Sequence, residues 1–224
     1  MTETTTENAR YRKDLVDLQD DHPWHQIAAS VPPGARVLDI GCGSGELGQL
    51  IASRPADVDG VEASPERAAI ASTRLRRVAN GFAGPAVDDA LDDAYDVIVF
   101  ADVVEHIAEP EPVLRWAASK LSRDGQIIAM IPNSANWKFR RKMMVGDWSY
   151  EDKGYFDRDH LRFFDVRTVR QLGSASGLTE VSVAYVPERL PKPLNAWRKG
   201  ARAAADRWPN LFAGHVLVAW RQAE

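Results

Sequence analysis

Short apolar runs alternate with longer stretches in which apolar residues return every three or four positions, over most of the 224-residue chain. The first rhythm fits buried strands and the second fits helices with one apolar side, so their alternation predicts βαβ construction. Residues 36–40 predict a first strand after the turn Pro32-Pro33-Gly34, with a helix expected over 45–54. Residues 58–61 predict a second strand. Ser64-Pro65-Glu66 then offers a helix cap, a proline at the first helical position and an acid in the first turn. That helix is expected to run as far as Ala79 and stop at Asn80-Gly81. A third strand is expected over 82–87, a fourth over 95–101, a helix over 113–121, and a fifth strand over 126–131 between Asp124-Gly125 and Pro132-Asn133.

From 134 to 165 the alternation stops, and the chain becomes aromatic and basic together: Trp137, Phe139, Trp148, Tyr150, Tyr155, Phe156, Phe163 and Phe164, with Lys138, Arg140, Arg141 and Lys142. A long irregular stretch inside a compact domain usually has a function. It reads either as a lid over an apolar or ring-shaped acceptor, or as a satellite core with its basic residues solvated. Beyond it a helix over 166–176 ending at Gly177, a strand over 181–186, an amphipathic helix over 194–208 and a last strand over 216–220 are expected.

Glycine carries the chemistry. Val37-Leu38-Asp39-Ile40-Gly41-Cys42-Gly43-Ser44-Gly45 runs a buried strand into three alternating glycines just before a helix. Glycine accepts positive φ and lets a flat polar cofactor approach the backbone, and the helix start adds unpaired N–H groups. The same residues, read as Gly43-x-Gly45-x-x-Gly48 with Glu62 downstream, also match a dinucleotide fingerprint. Asp39 separates the readings, because a carboxylate there suits the cationic amino group of S-adenosylmethionine and repels a pyrophosphate.

With these residues in view, VLDIGCGSG resembles the first motif of class I S-adenosylmethionine-dependent methyltransferases, in their small-molecule branch. GVEASPERAAIA is similar to the second motif, and DDALDDAYDVIVFADVVEHI to the third and fourth. The resemblance implies that Asp39, Gly41, Cys42, Gly43 and Gly45 form the cofactor loop. It also implies that Glu62, beside Ala63, holds the ribose hydroxyls, and that an acid of the Asp88-Asp89-Ala90 stretch faces the adenine amino group. Ala101 and Val103 would line the cofactor at the end of the fourth strand. The fold implied is α/β: a doubly wound, mostly parallel, seven-stranded Rossmann-like sheet with one antiparallel strand and a lid insertion. The corresponding division is a tail and cap helix over 1–30, a cofactor-binding core over 31–133, the lid over 134–165 and a C-terminal part over 166–224. FAGHVLVAW would be the antiparallel strand, at or near an edge. The run Ala101-Asp102-Val103-Val104 stands where nucleic-acid methylating branches carry an Asn-Pro-Pro-Tyr tetrad, so no nucleic acid is expected.

An oxygen acceptor needs a base, and imidazole suits that task near neutral pH. His106 follows the fourth strand and His160 closes the aromatic stretch, so both are catalytic candidates. His22, His25 and His215 are read as surface or structural. Asp102, Glu105 and His106, or Asp157, Asp159 and His160, have the donor types for a divalent ion, but neither set has strict metal-site spacing, and no metal is expected. Cys42 reads as a small filler.

Charge changes little. The net value is −4, with nine acids and no Lys or Arg between Pro85 and Pro112, against basic clusters at 138–142 and 189–207. Those clusters fit solvated faces, an anionic substrate or a membrane surface. Trp197 and Trp208 would suit a homodimer contact or a membrane. One cysteine excludes an internal disulfide and fits a reducing compartment, so the cytoplasm is expected, with no signal or membrane-spanning segment and a loose polar start, MTETTTEN. The function expected is methyl transfer to an oxygen of a sugar or another secondary metabolite. The alternatives are N- or C-methylation, a nicotinamide oxidoreductase, and a non-catalytic cofactor-binding partner.

Overall fold

The computed structural model describes residues 22–152, 154–188 and 198–223. Its strands are β1 (Arg36–Ile40), β2 (Asp57–Glu62), β3 (Arg77–Asn80), β4 (Tyr95–Ala101), β5 (Leu121–Pro132), β6 (Leu178–Pro187) and β7 (Ala213–Gln222). Its helices are α1 (Pro23–Ser30), α2 (Glu46–Ala52), α3 (Pro65–Ala71), α4 (Pro110–Ser119), α5 (Trp137–Met144), α6 (Val166–Ala175), α7 (Arg198–Arg207) and α8 (Pro209–Phe212). The seven-stranded sheet has the order β3-β2-β1-β4-β5-β7-β6. β1 pairs in parallel with β2 and β4, β2 pairs in parallel with β3, and β6 pairs antiparallel with β7. The expected doubly wound, mostly parallel sheet is therefore present, with FAGHVLVAW as a near-edge strand.

The chain divides into two compact units. The first holds the residues up to Ala101 together with Pro112–Ile128. β1, β2 and β4 are almost wholly buried, as strands covered on both faces must be, and β1 and β2 bury the acids Asp39, Asp59 and Glu62 along with their apolar residues. Gly48 and Gly60 allow that packing to be close: a Cβ on Gly48 would meet Leu75 Cδ2 at 2.6 Å, and one on Gly60 would meet Cys42 Sγ at 2.6 Å.

The helix begun by Ser64 does not reach Ala79. Ser64 caps it as expected, accepting from the Arg67 N–H, but it ends at Ala71. β3 then occupies Arg77–Asn80, and the 82–87 stretch expected as a strand instead leads through Gly84 into a 3-10 turn over Pro85–Ala90. The reason is register. Parallel pairing of Asp59 with Arg77 and of Glu62 with Asn80 supplies backbone partners to 77–80 that a longer helix would forgo. β5 likewise starts earlier than expected and runs through Asp124-Gly125.

The second unit holds Asp102–Glu111 and the chain from Ala129 onward. α6 opens on a capping box between Asp165 and Thr168 and stops at Gly177, whose φ is +73°. Its apolar side buries Val166, Val169 and Leu172, and Gly173 lies so close to Trp220 that a Cβ would meet the indole nitrogen at 2.5 Å. The expected irregular stretch contains a helix, α5, capped by Asn136, whose side-chain Oδ1 accepts from the Lys138 and Phe139 N–H groups. Of the amphipathic helix expected over 194–208, Arg198–Arg207 is helical; Arg189, Lys192 and Trp197 lie outside the described residues, as does MTETTTEN. No helix among the described residues is long and apolar enough to cross a membrane.

Candidate active site

Strand register aligns the candidate cofactor residues of the first unit. Ile40 stands level with Val61 and with Phe100, and Glu62 with Asn80. Gly41, the first residue after β1, therefore stands in one row with Glu62, Asn80 and Ala101, the last residues of β2, β3 and β4, at the carboxyl edge, where parallel α/β sheets hold ligands.

The glycine loop turns sharply at that edge. Gly41, Gly43 and Gly45 have φ of +66°, +58° and +89°, all in the left-handed region that side chains disfavour. The Gly41 and Cys42 N–H groups both donate to the Val61 carbonyl, which fastens the loop to β2. Glu62 fastens it further: one carboxylate oxygen accepts from the Gly43 N–H at 2.9 Å. The other accepts from the Ser64 N–H at 2.9 Å and pairs with Arg67 at 3.3 Å. Cys42 is buried against Gly60, and burial pushes its thiol far up, so it fills space and is no nucleophile.

Three acids converge beneath the loop. Asp39, Glu46 and Glu62 are each no more than 5% exposed. Glu46 pairs with Arg74 at 3.0 Å. Asp39 has one carboxylate oxygen without a hydrogen-bond partner among the described residues. Burial, then Glu62, then Glu46, push its carboxyl up to about 8, against a smaller opposite pull from the Gly48 N–H. A buried, unpartnered carboxylate is costly, and a cationic ligand relieves it. The residues present thus fit the ammonium of S-adenosylmethionine, with the left-handed glycines leaving backbone open beside it. Glu46 was not foreseen; its signal was an acid at the first helical position after the glycine loop.

The Asp88-Asp89-Ala90 stretch lies on the 3-10 turn, well past the end of β3. Asp88 accepts from the Trp116 indole N–H at 2.8 Å and pairs with Lys120 at 3.2 Å, while Asp89 and Ala90 are exposed. At the end of β3 stand Asn80, Gly81 and Phe82. The Asn80 amide donates to the Glu62 and Ala63 carbonyls and the Gly81 N–H to Glu62, and Phe82 follows with 84% of its surface exposed. Phe82 was passed over because the expected third strand began there. Ala63 is exposed, and Ala101 and Val103 are half-buried.

The second unit holds a cluster of its own. Asp102, directly after β4, has φ +56°, a left-handed value rare outside glycine, and its N–H donates to the Met130 carbonyl. The turn continues into Val104–His106. The Glu105 carbonyl accepts from the Leu161 and Arg162 N–H groups at 2.9 and 3.0 Å, clipping the segment that carries His160 onto this turn. The His106 and His160 rings meet edge to face with centroids 4.8 Å apart, and the Glu105 carboxylate lies 3.9 Å from His160 Nε2. Burial, then Asp102 and Asp157, hold the Glu105 carboxyl well above the usual range; burial, then His106, lower the His160 imidazole. His215, read as structural, lies 3.3 Å from Asp102.

Around Phe139 the aromatic stretch forms a cluster. Phe139 stacks on Phe156 at 4.6 Å and leans on Phe163 at 5.7 Å, while Trp148 meets Phe156 edge-on at 6.3 Å. Phe156 and Phe164 are buried, whereas Trp148, Tyr150 and Phe163 stay exposed. Lys138 pairs with Glu188 and Lys142 with Glu151.

Comparison with known proteins agrees with this geometry. The profile of a family described as "Methyltransferase domain" matches residues 10–183. A ubiquinone biosynthesis O-methyltransferase of Aeromonas salmonicida is 29% identical over 153 residues, covering 65% of this chain and 63% of that protein. Its counterpart in Bordetella avium is 32% identical over 111 residues, covering 46% and 45%. The chain thus spans less than two thirds of the length of these curated relatives. A crystal structure of a SAM-dependent methyltransferase from Archaeoglobus fulgidus superposes with a TM-score of 0.67 at 15% identity, over 99% of this chain and 100% of that one. A domain profile covering most of the chain, a methyltransferase sheet and a glycine loop over a buried Asp39 with one carboxylate oxygen unpaired among the described residues decide against the dinucleotide reading: the chain belongs to the methyltransferase-domain family, the class I S-adenosylmethionine-dependent methyltransferases.

Proposed function

We propose that the protein methylates an oxygen of a small molecule, and that the acceptor is a hydroxyl on an apolar ring. The observation that carries this reading is the Glu105–His106–His160 cluster on the turn that leaves β4. When bound, the cofactor supplies a methyl group activated for in-line displacement, so the protein's tasks are to align the acceptor and to deal with its proton.

Asp39 holds the amino group, and Gly41, Cys42, Gly43 and Gly45 receive the amino-acid part on exposed backbone. Glu62, already oriented by Gly43 and Ser64, keeps lone pairs for the ribose hydroxyls, with Ala63 beside it. Phe82 and Asp89 serve the adenine, Asp88 positions its turn, Ala90 lies beside them, and Ala101 and Val103 line the cofactor. On the acceptor side, His106 and His160 take the hydroxyl proton.

Within the wider expectation of a sugar or another secondary metabolite, two things favour a ring hydroxyl. The stretch before His160 presents aromatic side chains, and the curated relatives carry the name ubiquinone biosynthesis O-methyltransferase. The single cysteine is in keeping with the cytoplasm.

The test is incubation with S-adenosylmethionine and panels of dihydroxybenzenes, sugars and amines, followed by mass spectrometry. A methyl ether on a phenol is expected. A methylated amine or carbon would replace the oxygen assignment, and cofactor binding without any methylated product would favour a non-catalytic partner role.

A further inference from the structure

We propose that His215, oriented by Asp102, binds the acceptor: its Nδ1 accepts a hydrogen bond from a second hydroxyl, beside the one that is methylated. This role rests on the oxygen acceptor proposed above, and it asks that acceptor for a second hydrogen-bond donor.

The pair comes from strands that are not neighbours. β5 runs between β4 and β7 in the sheet. Asp102 follows β4, and its N–H donates to the Met130 carbonyl of β5 at 3.0 Å. On the other side Asn133, the residue after β5, donates its N–H to the Gly214 carbonyl at 2.8 Å. That bond sets His215 beside the end of β5, at the edge where such sheets hold ligands. The two side chains meet there, with His215 Nε2 3.3 Å from an Asp102 carboxylate oxygen.

Packing alone does not account for the pair. Asp102 holds φ +56°, which glycine would adopt without strain, so what an aspartate adds at this position is its carboxylate. Both side chains are half-buried and so within reach of a ligand. A carboxylate only accepts; it draws the ring hydrogen to Nε2 and leaves Nδ1 its lone pair. That nitrogen has no protein partner among the described residues.

The surroundings suit a ring. The Tyr155 hydroxyl, which donates to Glu188, also reaches the Gly214 carbonyl at 3.5 Å, so the aromatic stretch extends to the residue before His215. A Cβ on Gly214 would meet Glu188 Oε2 at 3.3 Å and Tyr155 Oη at 3.4 Å, and glycine there lets the three approach. The Asp102 charge acts on Glu105, Tyr155 and His160 as well, which places His215 in the neighbourhood of the side chains assigned to the first hydroxyl. A site with an unpaired acceptor selects for a ligand that brings the donor, because an analogue without it leaves that acceptor unpaired.

Two near-isosteric variants separate binding from support. His215→Gln keeps an N–H for Asp102 near the Nε2 position and loses the Nδ1 acceptor. His215→Asn sets an amide oxygen near the Nδ1 position and loses the contact with Asp102. Kinetics are measured with catechol, which has two neighbouring hydroxyls, and with phenol, which has one, as substrate or competitor; adenosyl affinity is read by calorimetry. Glutamine is expected to raise KM for catechol roughly 3- to 10-fold with kcat nearly unchanged, and asparagine to recover most of that loss. Phenol and adenosyl affinities should not move. The reverse pattern, with glutamine harmless and asparagine damaging both compounds alike, makes His215 a supporting residue and overturns the proposal. Should a variant not fold, catechol is added to the unaltered protein with S-adenosylhomocysteine bound, and imidazole nitrogen shifts are recorded. His215 Nδ1 is expected to respond, and an unmoved Nδ1 overturns the proposal. A responding Nδ1 with no methyl ether formed would remove the oxygen-acceptor reading and leave the binding role of His215.

Discussion

The Glu62 carboxylate and the Gly43 N–H are 2.9 Å apart, and that bond ties the end of β2 to the middle of the glycine loop. One side chain thereby shapes the loop and, in the proposed function, also holds the ribose hydroxyls. Glu62→Ala removes the acceptor of the Gly43 and Ser64 N–H groups and one charge partner of Arg67. A loss of about 1–3 kcal/mol in stability and at least about a 10-fold weaker adenosyl affinity are expected. Denaturant melts and calorimetric titration read the two effects separately, and unchanged affinity in the folded variant would remove Glu62 from the cofactor site.

Asp39 predicts a pH dependence. Its folded carboxyl is raised to about 8 from an ordinary 3.8, chiefly by burial. Protonated Asp39 is therefore favoured by folding at low pH, and this stabilisation is lost as pH rises through about 8. The ligand-free protein should lose stability between pH 4 and 8, with a slope of up to about 1.4 kcal/mol per pH unit from this group. Asp39→Asn should flatten that slope. Below pH 8 adenosyl binding should release a proton, measured by calorimetry in buffers of different ionisation enthalpy; a buffer-independent heat would refute the pairing with an ammonium.

Phe82 separates binding from folding. With 84% of its surface exposed, it adds little to the core. Phe82→Ala should leave the melting temperature nearly unchanged and weaken adenosyl binding by roughly 1 kcal/mol, the order of a lost aromatic contact. If affinity holds and stability falls, Phe82 is a packing residue.

Gly60 and Cys42 form a tight contact behind the loop. Gly60→Ala places a methyl 2.6 Å from Cys42 Sγ and 3.0 Å from Leu75 Cδ1, a clash worth about 1–3 kcal/mol. Adding Cys42→Ala should restore part of the loss, because the Cβ of residue 42 still stands at 3.1 Å. Additive losses in denaturant melts would show that the strain lies elsewhere.

His106 should act on turnover and leave cofactor affinity alone. His106→Ala is expected to lower kcat by about 100-fold at saturating acceptor, with adenosyl affinity unchanged. A variant with full turnover would assign the acceptor's proton to another group.

Local sequence determined most of the frame. Apolar runs set β1 and β4; Ser64-Pro65 and Asp165 started their helices; and the alternating glycines marked the loop, since only glycine adopts φ near +60° to +90° there without strain. These are properties of neighbouring residues, and a sequence displays them directly. The position of β3, the burial that raises Asp39, the placing of Asn80 and Gly81 beside Glu62, and the joining of His160 to Glu105 and His106 were decided by tertiary structure. Each depends on pairing or burial between segments far apart in the chain, such as the Glu105 carbonyl receiving the Leu161 and Arg162 N–H groups, and no local pattern encodes such a partner.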